Sequence, residues 1–327
     1  MKRLTFIWAN LAAFAVTVID KGVVLAQAAA SLPQQIVNQL YANSHGPYPG
    51  FRANHAKGIV CQGTFTPSAE APSLSSAAHF QKPVKVTARF SDVGGVPTVP
   101  DYSDDASPHG FAVKFHLPDG TDTDIVGISV PLFPVATAED FLALLKAAGS
   151  GPSAIGPFLA SHPYAAKFVQ YPKPPPVSFA TLSYFYINAF KLTNAKGESH
   201  YVRYEMRAIA PAASLTADQA KQKGPKYLQD ELKKRLSQGP AEFDYIAQIA
   251  EPGDPTDNAT LVWPATRKTV VLGRLTLSQV DPNSDAVQRK LLFDPARVTP
   301  GIAASGDPLI PARSQAYAIS YVKRLTG

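Results

Sequence analysis

Apolar positions recur along the chain with two periods, and these divide it into strand-like and helix-like segments. "VKVTARFS" (84–91), "GFAVKFHL" (110–117), "FYINAFKL" (185–192), "YVRYEMRAI" (201–209), "FDYIAQIA" (243–250) and "VVLGRLTL" (270–277) alternate or run nearly continuously apolar. Most are bounded by Gly, Pro, Asp or Asn, as half-buried or buried strands are. "LTNAKGESHYVRY" reads as a hairpin turning near Lys196-Gly197. "SLPQQIVNQLYANSH" predicts a short helix over Gln34 to Asn43, and helical patterns return at 137–149 and 216–239. The stretch 137–149 opens on a Thr cap with Glu139 and Asp140 in its first turn and stops at Gly149. Gly224-Pro225 breaks or kinks the stretch 216–239. Six strands joined partly by hairpins predict an α+β chain, an antiparallel barrel with helices packed outside. The Pro-rich "SHPYAAKFVQYPKPPPVSF" reads as a linker inside one domain, because strands resume after it.

The C-terminal stretch "ARSQAYAISYVKRLTG" (312–327) has its own pattern. At about 100° per residue, Arg313, Tyr317 and Arg324 fall within roughly 40° of one another on a helix. Two readings are open. A terminal helix packs its tyrosine and leaves both arginines in water, or the guanidiniums hold the phenolic oxygen as an anion.

Composition changes little. With 45% hydrophobic and 17% charged residues and no low-complexity tract, this is ordinary globular material, and 30 prolines imply many loops. The N-terminus reads as an export signal: Lys2 and Arg3, an uncharged run from Leu4 to Ile19, and "AQA" at Ala26 to Ala28. A retained membrane anchor is the alternative. Cleavage after residue 28 removes three basic residues and one acidic one, taking the net charge from +6 to +4. The densest basic stretch, "KQKGPKYLQDELKKR", is interspersed with acids and lacks interleaved aromatics, which argues against nucleic acid as a partner. Cys61, the only cysteine, cannot form an internal disulfide and sits in apolar "GIVCQGTF", as an inert core thiol would. His79, His162 and His200 read as surface residues.

No phosphate-binding loop, serine elbow or paired His/Cys metal spacing is present. His55 differs from the other histidines. In "FRANHAKGIVCQG" it follows Arg52 by three residues, and "ARFSDVGG" downstream offers Arg89 and Ser91 at a strand end. A histidine near a strand reads either as a satisfied core residue or as a catalyst.

Taken together, "HAKG", "RFS", "GFAVKF", "DIVG", "FKLTNAKGE" and "VLGRLTLSQVDPNSDAVQRKLLFDPARVTPGIAASGDPLI" resemble the haem catalases. The likeness is to the catalase-related peroxidases that consist of little beyond the catalase barrel, and it runs from about residue 35 to 325. With the signal read at 1–28, it implies a single haem-binding catalase-core domain at 29–327, without the C-terminal helical domain or NADPH site of long catalases. Position by position, His55 matches the distal histidine and Ser91 the hydroxyl that orients it. Tyr317 matches the tyrosine whose phenolate binds the haem iron, and Arg313 the arginine bonded to that phenolate. Arg52, Arg89 and Arg324 match the arginines that pair with the propionates, and Phe141 the phenylalanine packed on the distal porphyrin face. The implied chemistry is reduction of hydrogen peroxide or organic hydroperoxides through an oxoferryl intermediate, using an unidentified small-molecule electron donor. The haem is expected to be b-type, since no C-x-x-C-H motif is present. The signal implies a periplasmic or secreted protein with no membrane partner once cleaved, and a homodimer is allowed.

The match fails at one point. Catalases carry Asn-Asn-Thr-Pro where this chain has "GISVPLF". Ile128 replaces the asparagine that hydrogen-bonds peroxide, Ser129 takes the second position, Phe133-Pro134 the aromatic pair, and His109 an arginine. Loss of the amide predicts a peroxidase with weak catalase activity, unless Ser129 turns inward to supply a donor. Three other readings compete: hydroperoxide rearrangement of the allene oxide synthase kind, a haem carrier or sensor, and a barrel for apolar ligands that binds no haem.

Overall fold

The structure, a computed structural model, describes residues 29–326 and, in backbone alone, one earlier antiparallel pair, β1 (Val16–Ile19) and β2 (Gly22–Leu25). The export signal expected over residues 1–28 otherwise lies outside the described residues. From Leu32 the chain is organised by eight antiparallel strands. These are β3 (Gly58–Pro67), β4 (Val84–Ser91), β5 (Gly110–His116), β6 (Asp122–Ile128), β7 (Tyr184–Thr193), β8 (Ser199–Ala208), β9 (Ala241–Ile249) and β10 (Thr269–Val280). Their order is β7-β6-β5-β4-β3-β10-β9-β8, and β8 pairs with β7 to close the barrel and remove its edges. A short β11 (Ile302–Ala304) pairs with β7 along Phe190 to Leu192.

Alternation assigns each strand's two faces. Val86, Ala88 and Phe90 of β4, and Phe111, Val113 and Phe115 of β5, belong to the buried core. There Phe90 stacks on Phe111 at 4.2 Å and 5°, and Phe65 meets Phe115 edge-on at 5.3 Å. The barrel interior is therefore filled, and a ligand must sit outside it.

Nine helices surround the barrel among the described residues: α1 (Leu32–Asn43), α2 (Ala71–Leu74), α3 (Ala138–Gly149), α4 (Pro152–Ser161), α5 (Pro163–Gln170), α6 (Ala217–Lys223), α7 (Tyr227–Gln238), α8 (Ser284–Lys290) and α9 (Leu309–Thr326). Thr137 caps α3 through Asp140 N–H, and the Gly224-Pro225 break separates α6 from α7, as the pattern predicts.

Several elements differ from expectation. β3 opens on Gly58 and carries Gly63, and β6 carries Asp122 and Asp124; these polar and glycine positions hid both strands. α5 lies in the stretch read as a linker, and α4 precedes it. Each has a proline in its first turn, where the missing N–H costs nothing. His79, expected at the surface, is only 1% exposed in the barrel core, its ring 4.8 Å from that of Phe115. Burial pushes its imidazole down to about 3, so it is held neutral. Cys61 is fully buried and its thiol is shifted upward by burial, as an inert core thiol requires.

Candidate active site

The outward residues of β4, β5 and β6 line up by register. Arg89 pairs with Ala112, which pairs with Val126; Ser91 pairs with Gly110, which pairs with Ile128. These two rows form one wall of a cavity of about 1320 Å³, open mouth included, whose other walls come from α1, α3 and α9. Every site residue that the sequence singled out, from Arg52 and His55 to Tyr317 and Arg324, lines this cavity.

His55 precedes β3 and sits at φ +54°, a left-handed conformation that non-glycine residues adopt at some cost. Its Nδ1 lies 3.1 Å from Ser91 Oγ. Gly110 makes that contact possible. A Cβ there would lie 2.7 Å from Ser91 Oγ and 2.9 Å from His55 Nδ1. Burial first, then the guanidinium of Arg89, pushes the His55 imidazole down to about 3, despite the opposing charge of Asp92. The ring is thus a neutral base. With Nδ1–H donating to Ser91, Nε2 keeps its lone pair. Gly110→Ala is expected to displace the His55–Ser91 pair and slow reaction with peroxide roughly 10²-fold, the scale set by misplacement of a reacting group. Stopped-flow rates at matched haem content test it.

Tyr317 and Arg313 are one turn apart on α9, so the terminal stretch is the helix that the pattern predicts. Arg313 Nη2 donates to Tyr317 Oη at 3.2 Å and its Nη1 to Asn188 Oδ1. Asn188 Nδ2 in turn donates to Asp307 Oδ2 at 2.8 Å. Pairing of β7 with β8 is interrupted between Tyr186 and Phe190, and Asn188 lies in that interval. Asn188 and Asp307 were not singled out from the sequence; "GDPLI" carried Asp307, but nothing local tied it to an arginine.

Arg52, Arg89 and Arg324 form the third group. Arg52 donates to Gln288 O and Leu291 O (3.0 and 2.6 Å), Arg324 to Arg289 O and Leu291 O (2.7 and 3.0 Å). Arg89 donates to Gln288 Oε1 at 3.1 Å and His55 O at 2.9 Å. Gly58 leaves room for it, since a Cβ there would lie 2.4 Å from Arg89 Nη2. No carboxylate pairs with any of the three among the described residues. Burial, then mutual repulsion, lowers Arg52 well below its usual value and Arg89 to about 9; burial lowers Arg324 to about 10. Three like charges in a half-dry cavity are costly unless an anion joins them. The helix α8, which supplies Gln288, was not recognised in the sequence.

Ile128 lines the cavity, two strands from Ser91 on the same row. Ser129 does not replace the missing amide: its Oγ accepts the His109 backbone N–H at 3.0 Å, and it is not part of the cavity wall. His109 is buried with its Nδ1 2.9 Å from Asp92 Oδ1, facing a charged cluster that includes Lys57 and Asp101. Phe141 lies on the wall with its ring 5.5 Å from that of Phe133.

This donor set fits a haem. The three arginines without carboxylate partners suit two propionates, the phenol bonded to a guanidinium suits a ferric ligand, and the remaining wall is largely apolar.

Comparison with known proteins agrees. The Catalase family model matches residues 34–327. A catalase-related peroxidase of Mycolicibacterium paratuberculosis is 36% identical over 302 residues, spanning 90% of this chain and 95% of that protein. A catalase-related peroxidase of Synechococcus elongatus is 31% identical, spanning 90% and 89%. Among solved structures, a bacterial catalase superposes with a TM-score of 0.77 at 23% identity, covering 95% of this chain. Catalase A from Saccharomyces cerevisiae superposes with the same score at 22% identity. The chain spans 63% and 68% of those two structures.

Proposed function

The chain belongs to the catalase family and is an oxidoreductase acting on peroxide, and on that premise we propose that it is an exported haem peroxidase. It reduces hydrogen peroxide or organic hydroperoxides at the expense of a small organic donor and releases little dioxygen. The observation that carries this reading is that His55–Ser91, Arg313–Tyr317 and three arginines without carboxylate partners open onto one apolar cavity.

Tyr317 would hold the iron of a haem through its phenolic oxygen, with Arg313 favouring the phenolate. Arg52, Arg89 and Arg324 would hold the two propionates. The bound haem supplies the electrons that reduce the O–O bond. His55 Nε2 would take a proton from one peroxide oxygen and return it to the other, which would leave as water. Ser91 keeps the imidazole in the tautomer and orientation this requires. Phe141, Phe133 and Ile128 exclude water from the transfer.

Dioxygen release needs a second peroxide to be held and oxidised. Ile128 offers that molecule no hydrogen bond, whereas the amide of typical catalases does. One such contact contributes about 1–3 kcal/mol, roughly tenfold to a few hundredfold in rate.

The test is to purify the protein with haem, titrate it with hydrogen peroxide, and record absorption and oxygen together. Stoichiometric haem, peroxide consumption that depends on an added phenolic donor, and little oxygen are expected. Ile128→Asn is expected to raise oxygen release at least tenfold. Rapid oxygen release by the unaltered protein would make it a small catalase, and failure to bind haem would sink the reading. The export signal is tested separately, by N-terminal sequencing of the secreted or periplasmic protein, with cleavage after Ala28 expected.

A further inference from the structure

We propose that Asn54, the residue before His55, is a hydrogen-bond donor to bound peroxide and compensates in part for Ile128. The inference rests on the peroxide-reducing role proposed above.

Asn54 lines the same cavity as His55. Adjacent side chains on an extended strand point to opposite faces, but here the left-handed backbone at His55 (φ +54°) breaks that alternation, and both residues reach the cavity. The amide's orientation is fixed by its partner. Gly94 N–H donates to Asn54 Oδ1 at 2.9 Å. A backbone N–H can only donate, so the carbonyl end must face Gly94 and the NH2 end is turned away from it. That NH2 makes no hydrogen bond among the described residues.

The other polar groups on the wall are already engaged. Ser91 serves His55, Arg313 serves Tyr317, and Ser320 Oγ accepts Ala53 N–H. The three remaining arginines are bonded to carbonyls and Gln288. The NH2 of Asn54 is thus the neutral donor left beside the catalytic imidazole. An amide tied at one end is preorganised: it donates to a peroxide oxygen without first being immobilised. It would stabilise charge on that oxygen while His55 moves the proton. No bond to Asn54 forms or breaks.

The test compares Asn54→Val and Asn54→Asp with the unaltered protein, all with haem bound. Valine removes the donor without adding charge. Aspartate removes it while keeping an oxygen for Gly94 N–H. The readouts are the second-order rate with hydrogen peroxide at pH 7 and, for the valine variant, the affinity of the ferric protein for fluoride, which accepts hydrogen bonds and undergoes no chemistry. Both variants are expected to react roughly ten- to a hundredfold more slowly. Fluoride affinity of Asn54→Val should fall by a similar factor, with haem content unchanged. Adding Ile128→Asn to Asn54→Val should restore part of the rate. Asn54→Asp reacting like the unaltered protein while Asn54→Val is slow would assign Asn54 to holding Gly94 alone and overturn the inference, as would unchanged fluoride affinity. If the unaltered protein took up no haem, the functional reading would fall and this inference with it.

Discussion

His55→Gln is expected to lower the second-order rate of reaction with hydrogen peroxide, measured by stopped flow, by roughly 10²–10⁴-fold, the usual contribution of a positioned general base, with haem content unchanged. The reason is the state in which the fold holds this ring. Burial and the Arg89 guanidinium keep it neutral down to about pH 3, so in the unaltered protein Nε2 is a base over the whole physiological range. The rate should therefore stay level from about pH 8 to roughly pH 5, where an ordinary histidine near 6.5 would already be largely protonated. A rate that halves near pH 6.5 would mean that the ring is not desolvated as described. The same shift acts on stability. The unfolded chain takes up this proton near pH 6.5 and the folded chain only near 3, so His55 weakens the fold progressively as pH falls through that window.

Tyr317→Phe is expected to abolish stable haem binding. Arg313 would keep Asn188 and the Val126 carbonyl as partners, but its bond to the phenolic oxygen would vanish together with the only ligand atom this unit offers to iron. Losing an outer partner of a metal ligand costs roughly 10–100-fold in affinity. Arg313→Leu should fall in that range, and Tyr317→Phe should cost more. Haem-to-protein ratios after gel filtration decide the order. A phenylalanine variant that retains stoichiometric haem with an unchanged ferric spectrum would remove Tyr317 from the iron.

Residue pattern by itself determined six of the eight barrel strands, the first helix, the capped helix α3, the break at Gly224-Pro225 and the terminal helix. These depend on local periods and caps, which short-range sterics and solvation impose without regard to the rest of the chain. The grouping of Arg313, Tyr317 and Arg324 was legible for the same reason, since helical pitch alone puts them on one face. The identities of His55, Ser91 and the remaining arginines came from motifs, but nothing local placed them in one cavity.

Only the tertiary structure decided that. Register across β4, β5 and β6 sets Ser91, Gly110 and Ile128 in one row, and pairing between strands is a long-range outcome that no window of sequence contains. Asn188 meets Arg313 from 125 residues away, inside the interruption of β7–β8 pairing, and it donates in turn to Asp307. Ser129 was open to two readings in the sequence. It is turned to the His109 backbone because that N–H needs an acceptor where the strand ends. His79 looked like a surface residue because two serines precede it and Gln81 and Lys82 follow it in a turn-like stretch, yet the barrel folds over it. Local chemistry chose the elements, and closure of the barrel chose which of their side chains would share a cavity.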